Sequence, residues 1–283
     1  MRLKTLDLCW ALQPNLPLLD FVLPGLLAGS VGLLVASGGT GKSFLALDIA
    51  ISQVIGRPVA DGLFPSTNQH KVVYLAGEES DRLLAERLRC MLTKRERELP
   101  TLQNLILLAM SGNDCLLVSR GQPTSLLNEL ENVAQGARLI ILDPIRRLHD
   151  GDENDSAAMT QFVIALESLA KKTGAAVIGL HHTNRASVED ASSQHASRGS
   201  SALVDGARWQ INLSTMNEKT AAVCGKSNED RHNFVALDFV KGNYFSPRPR
   251  SWLKRDPNGS LKLVTLNKSQ PKGKTVGGAH LIF

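Results

Sequence analysis

The chain is short of aromatic residues, of paired cysteines and of long apolar runs, and each shortage removes a class of function. Phe, Trp and Tyr make up 5% of the 283 residues, too few for a binding surface built mainly of stacked rings, so any affinity for nucleic acid has to lean on charge. Four cysteines, at 9, 90, 115 and 224, form no CxxC pair and no metal-ligand spacing. That argues against a disulfide or zinc framework and for reduced thiols in a cytoplasm. No uninterrupted apolar run approaches the roughly 18 residues of a membrane span, and the opening MRLKTLDLCWALQPN lacks the apolar centre and small-residue cleavage site of a secretory signal. The sequence therefore reads as a cytoplasmic chain with no membrane partner. With 43% hydrophobic and 21% charged residues it can bury a sizeable core, which excludes wholesale disorder and collagen-like or low-complexity classes.

Charge of one sign is also scarce overall, at +5, but it is unevenly placed. From Lys241 to Phe283 nine Lys and Arg face Asp256 alone, leaving +8 there and −3 on the first 240 residues. A basic end of this kind suits a polyanionic partner and equally suits a solvated tail.

Residues 1–23 show no clear period and read as an N-terminal arm or packing segment. An apolar run, Gly32 to Ala36, then leads through the Gly-rich Ser37 to Ser43 into a helically spaced stretch, Phe44 to Ile55. The alternation continues with a strand at Val72 to Ala76, a helix from about Asp81 to Glu98 and an apolar run at Leu105 to Met110. A helical stretch, Ser125 to Ala134, precedes a strand at Leu139 to Leu142, a helix from about Ala157 to Lys172 and a strand at Ala176 to Leu180. Strands this apolar, separated by helices, are what a parallel sheet covered on both faces requires, so the fold class is α/β. Beyond the polar stretch Thr183 to Ser201, runs at Arg208 to Leu213, Phe234 to Val240, Ser251 to Lys254 and Leu261 to Leu266 are separated by turn residues rather than helices. They read as a C-terminal antiparallel extension of the same sheet. The organisation expected is an arm over 1–23, one domain over 24–264 and a basic tail over 265–283.

Ala36-Ser37-Gly38-Gly39-Thr40-Gly41-Lys42-Ser43 matches the phosphate-loop pattern with Ala in place of the first Gly. In this geometry the backbone N–H groups of Ser37 to Phe44 and the following helix N-terminus point at phosphates, Lys42 reaches the β and γ oxygens, and the Ser43 hydroxyl suits Mg2+. ATP and Mg2+ are thus the expected ligands. Arg138 to Asp143 is a basic residue, a buried strand and a terminal carboxylate, so Asp143 is placed to hold the magnesium shell. The strand at 72–76 ends in Gly77-Glu78-Glu79, which offers a base for the attacking water, with Glu78 preferred over Glu79. Strand 176–180 ends in His181-His182, one of which can contact the γ-phosphate and report its loss.

Taken in order, LPGLLAGSVGLLVASGGTGKS, VVYLAGEES, LIILDPIRRLH, VIGLHHTNR, ASRGSSALVDGARWQ and VKGNYFSP resemble the RepA-type hexameric replicative helicases of broad-host-range plasmids, RecA-like P-loop enzymes among the AAA ATPases. The resemblance runs from about Leu23 to about Leu263, and ASRGSSALVDGARWQ with the His pair is more specific than the phosphate-loop motifs. It implies a RecA-like core with a mostly parallel sheet, and a ring-shaped homohexamer that separates DNA strands 5′ to 3′ using ATP. Single-stranded DNA is the implied partner, with a replication initiator or primase as a further one. By position, the resemblance makes Lys42 and Ser43 the phosphate-binding pair, Glu78 the catalytic carboxylate, Asp143 the magnesium acid and His182 the sensor. It makes Arg208 the arginine finger that completes a neighbour's site. Lys241 then stands as a second trans-acting cation or an ordinary strand-end Lys. The long loop between His182 and Ser201 would grip DNA, with Arg185 and Arg198 as phosphate contacts. Two other functions share every phosphate-loop residue: a RecA-like DNA-dependent ATPase of recombination or partition that does not unwind, and an ATP-switched regulatory assembly protein. No second, acceptor-binding domain is evident, which argues against a kinase.

Overall fold

The computed structural model describes residues 5–58, 62–92, 100–182, 201–244 and 248–267. In chain order the first elements are α1 (Leu8–Ala11), the short strands β1 (Phe21–Leu23) and β2 (Leu26–Leu27), β3 (Val31–Ala36) and α2 (Lys42–Ile55). β4 (Lys71–Ala76), α3 (Asp81–Leu92), β5 (Leu105–Ala109), the hairpin strands β6 (Val118–Ser119) and β7 (Gln122–Pro123), and α4 (Ser125–Val133) follow. Then come β8 (Ala137–Asp143), α5 (Ser156–Thr173), β9 (Ala176–His182), α6 (Ser201–Gly206) and β10 (Trp209–Thr215). The chain continues through α7 (Glu218–Val223), β11 (Phe234–Gly242), β12 (Ser251–Arg255) and β13 (Leu261–Val264).

Nine of these strands form one sheet in the order β13-β12-β11-β10-β3-β9-β8-β4-β5. All strands from β10 to β5 run parallel, while β11, β12 and β13 are added antiparallel beyond β10. This is the α/β core with a mostly parallel sheet and C-terminal antiparallel strands that the apolar runs predict. The parallel strands read as continuous apolar runs because they are buried on both faces. In β3, Leu34 and Ala36 enter the layer covered by α2 and α3, whereas Leu33 and Val35 enter the layer covered by α4, α5 and α6. α2 is buried from Leu45 through Ile55, and each large apolar side chain so covered contributes about 1.5–3 kcal/mol. At α5 the ends are set by the Asp155 carboxylate, which accepts from the Ala157 N–H, and by Gly174 in the left-handed region at φ 73°.

The structure differs from the sequence expectation at several points. β10 and β11 are joined through α7 and a 3-10 turn, Asp230–Asn233, not by turn residues alone. α7 is six residues long, too short to print a helical period, and it is held by the Asn217 cap to the Thr220 N–H (2.8 Å) and by Met216 and Ala221 packed against Phe234. α6 and the β1–β2 and β6–β7 hairpins escape for the same reason. The last residues of the N-terminal segment are packed: Val22 and Leu23 enter the core, the Asp20 carboxylate binds Arg138, and Trp209 Nε1 donates to the Pro24 carbonyl (2.9 Å). The described part of the predicted 81–98 helix ends at Leu92, and residues 93–99 lie outside the described set. The basic C-terminal end also divides. Arg250 forms a bidentate pair with Asp238 (2.9 Å each) and Lys262 pairs with Asp256 (2.6 Å), so much of its charge is used within the antiparallel strands; Lys268, Lys272 and Lys274 lie outside the described residues. Among the described residues, no helix is long and apolar enough to cross a membrane.

Candidate nucleotide site

Parallel topology brings the carboxyl ends of β3, β4, β8 and β9 to one edge of the sheet, where open α/β sheets bind ligands. One cleft there is lined by Ser37, Gly38, Gly39, Gly41, Lys42, Ser43 and Phe44 together with Glu78, Asp143 and His182. Residues that the motifs single out separately are therefore neighbours. β8 lies between β4 and β9, which sets Asp143 opposite Ala76 in register, with Glu78 two residues beyond it.

The loop has the conformation that glycine permits. Gly41 sits at φ 106° as the N-cap of α2, in a region that side-chain-bearing residues rarely enter. Gly38 and Gly39 are exposed, and a Cβ on either would meet nothing within 4 Å, so the space above them is open. The Ser37 and Thr40 hydroxyls share a hydrogen bond of 2.8 Å across the turn.

Lys42 is 7% exposed, and its Nζ stands 3.8 Å from Asp143 Oδ1. Burial lowers its pKa, opposed by the negative charges of Asp143, Glu78 and Glu79. Tyr74, on β4, donates its hydroxyl to Asp143 Oδ2 at 2.6 Å. Burial and the adjacent carboxylate push the phenol pKa well up, so Tyr74 stays a donor and fixes the Asp143 carboxylate. Sequence reading passes over Tyr74, whose place in an apolar strand gives no sign of a polar partner 69 residues away.

The two adjacent acids are in different situations. Glu79 is ion-paired with Arg87, whose guanidinium lies 5.1 Å from the Phe44 ring centroid; burial raises the Glu79 pKa and Arg87 opposes the rise. Glu78 is exposed in the cleft. The two histidines also part: His181 is buried with Nδ1 3.8 Å from Glu153 Oε1, while His182 lines the cleft with its pKa lowered by burial and by the Lys42 charge.

Arg208 lies elsewhere. It immediately precedes β10, an interior strand and not an edge strand, and its backbone N–H donates to Val31 O (2.9 Å) at the amino ends of the parallel strands. Its side chain is exposed. The register Trp209↔Gly32 leaves the phosphate loop about 13 Å further along β3. Lys241 is close by, and its Nζ donates to the Val204 and Asp205 carbonyls (2.6 and 3.2 Å) at the end of α6. Arg185 and Arg198 lie outside the described residues.

The donor set fits nucleotide with Mg2+. Among the described residues no group of three or more His, Cys, Asp or Glu could hold a metal alone, but the Ser43 hydroxyl and the Asp143 carboxylate face one cleft. Mg2+ needs only one or two such protein ligands when phosphates and waters complete its shell. Arg255 and Arg87 also line this cleft, and neither carries a local sequence signal. A family model described as an AAA domain matches residues 1–188, more than half of the chain, and the chain belongs to that family of nucleotide-binding ATPases.

Proposed function

We propose that this protein is an ATP-driven, ring-shaped DNA helicase of the RepA type that serves replication of a plasmid or other mobile element, moving 5′ to 3′. The observation that carries the reading is the split placement of the reacting groups. Lys42, Asp143, Glu78 and His182 share one end of the sheet, and Arg208 stands exposed at the other. A ring of identical subunits joins the two ends, each Arg208 entering a neighbour's cleft.

In this reading the phosphates of ATP lie along the N–H groups of Ser37 to Phe44, and Lys42 balances the β and γ oxygens. Mg2+ held by Ser43 and Asp143 supplies neutralising charge. Glu78 accepts the proton of the water whose oxygen attacks the γ-phosphorus as the bond to the ADP oxygen breaks. Arg208 from the adjacent subunit stabilises the charge on the transferring group, which makes hydrolysis depend on assembly. His182 contacts the γ-phosphate and passes its loss to the segment that follows β9, where Arg185 and Arg198 would hold single-stranded DNA. Support for self-association comes from the N-terminal segment, where Leu8, Trp10, Leu12 and Leu18 are exposed, Leu18 at 95%. Such a surface calls for a covering partner.

Strand displacement on a forked duplex with ATP, run beside a native mass measurement, tests the proposal. Unwinding by a six-subunit species is the expected result. DNA-stimulated ATP hydrolysis without displacement selects instead a RecA-like ATPase of recombination or partition, and slow hydrolysis indifferent to DNA selects a regulatory assembly protein.

A further inference from the structure

The phosphate loop is braced by a hairpin more than two hundred residues away in sequence, whose Arg255 also lines the cleft. Arg255, the last residue of β12, donates through Nη2 to the carbonyls of Gly39 (3.1 Å) and Thr40 (2.9 Å). The turn that follows is tied by Asp256 N–H to Ser260 O and Gly259 N–H to Asp256 O, both 2.9 Å. Gly259 adopts φ 88° and lies flush on Phe44: a Cβ there would fall 2.3 Å from the ring. Leu261, opening β13, reaches within 3.4 Å of where a Gly41 Cβ would stand. Loop and hairpin therefore meet at Gly39–Thr40, Gly41 and Phe44; Gly39, Gly41 and Phe44 line the nucleotide cleft and Thr40 is buried beneath it. The hairpin lies beyond residue 188, outside the part of the chain that the AAA domain match covers.

The chemistry of these contacts is specific. In a loop that turns its N–H groups toward an anion, the carbonyl oxygens face the other way. The two peptide units whose oxygens Arg255 holds carry their N–H groups on Gly41 and on Thr40, the latter donating to Ser37 O at 3.4 Å, in the middle of the loop. A cation hydrogen-bonded at the oxygen end polarises each unit and makes its N–H a stronger donor, while the fixed guanidinium plane holds the two units at a set angle. Without Arg255, two outward carbonyls lose a charged partner and the loop samples orientations that the phosphates must then select against.

We propose that Arg255 is a positioning residue of the phosphate loop, which sets the loop's affinity for nucleoside polyphosphates from the carbonyl side and makes that affinity depend on the C-terminal hairpin. The inference rests on the reading of this cleft as the nucleotide site. It requires no contact between Arg255 and the reacting atoms. Because the N–H groups serve ground state and transition state alike, losing Arg255 weakens binding and leaves turnover at saturation nearly intact.

The test is titration of the full chain with MgADP, with steady-state ATP hydrolysis alongside, for wild type, Arg255→Ala, Arg255→Lys and Lys42→Ala. Arg255→Ala is expected to weaken MgADP about tenfold and to raise KM for ATP by a similar factor, with kcat changed less than about threefold. Arg255→Lys, which keeps a charged donor without the planar fork, is expected to recover part of the loss. An unchanged Kd in Arg255→Ala, or a fall in kcat with KM and Kd unchanged, overturns the proposal. If Arg255→Ala does not fold, Arg255→Lys decides alone: about threefold weaker MgADP supports the role and wild-type affinity overturns it. Lys42→Ala separates the two levels of failure. Wild-type MgADP affinity in that variant overturns the assignment of the cleft itself, whereas loss there with no effect at Arg255 overturns only the positioning role.

Discussion

At the carboxyl ends of the parallel strands, Lys42, Asp143, Glu78 and His182 crowd into one cleft, two of them almost fully buried. At the amino ends, Arg208 projects into solvent beside Lys241, a strand's length from the phosphate loop. The first end is a set of charges held in mutual balance: Lys42 is desolvated but faces three carboxylates, and Asp143 is fixed by both Lys42 and Tyr74. The second has an arginine and a lysine close together and, among the described residues, no phosphate-binding loop of its own. A folded chain accepts an exposed arginine at little cost, because the charge stays hydrated until something docks on it. The difference teaches that the nucleotide cleft and the exposed Arg208 occupy opposite ends of one sheet, and the proposal that they act together requires a second subunit.

The largest expected effect breaks this comparison at its exposed end. Arg208→Ala is expected to leave MgADP binding unchanged while lowering kcat about a thousandfold, the usual scale for an arginine finger. Mixing it with Glu78→Gln, itself inactive, should restore about a quarter of wild-type turnover once subunits exchange, since only interfaces pairing an intact cleft with an intact Arg208 work. Mixtures that stay inactive would show that both groups act within one subunit.

A smaller effect sharpens the buried end. Glu78→Gln is expected to lower kcat by about a hundredfold or more with nucleotide binding retained, as for loss of a general base. Glu79→Gln, which removes the partner of Arg87 and one of the three carboxylates near Lys42, is expected to cost less than about tenfold. Steady-state hydrolysis of the two variants ranks them, and the reverse order would reassign the base.

The smallest effect separates Arg208 from its neighbour. Lys241 spends its ammonium on the carbonyls ending α6, so Lys241→Ala is expected to lower Tm by about 2–4 °C, with hydrolysis reduced far less than in Arg208→Ala. A thousandfold loss of turnover at unchanged Tm would make Lys241 a second trans-acting cation.

Much of the cleft was legible because its parts are local. Ser37 to Phe44 specifies its own geometry through glycine, and Asp143, Glu78 and His182 each follow a strand whose apolar run announces its end. The preference for Glu78 over Glu79, and for His182 by resemblance, came from sequence without any sign of how the members of each pair are placed. Adjacent residues at a strand end differ in which way they face, and that depends on Arg87 and Glu153 arriving from other elements. The C-terminal charge misled for a related reason. Composition presents the basic end as one block, but Arg250 is bound by Asp238 and Arg255 by the phosphate loop.

Sequence by itself determined the α/β class, the phosphate loop and the succession along the chain of the strands that carry the site, because backbone conformation and apolar period are properties of contiguous residues. Tertiary structure alone decided that Tyr74 fixes Asp143, that Arg87 occupies Glu79, that Arg255 braces Gly39 and Thr40, and that Arg208 faces away from its own cleft. Those pairings follow from the order of strands in the sheet, which places side chains distant in sequence within hydrogen-bond reach, and no local pattern records that order.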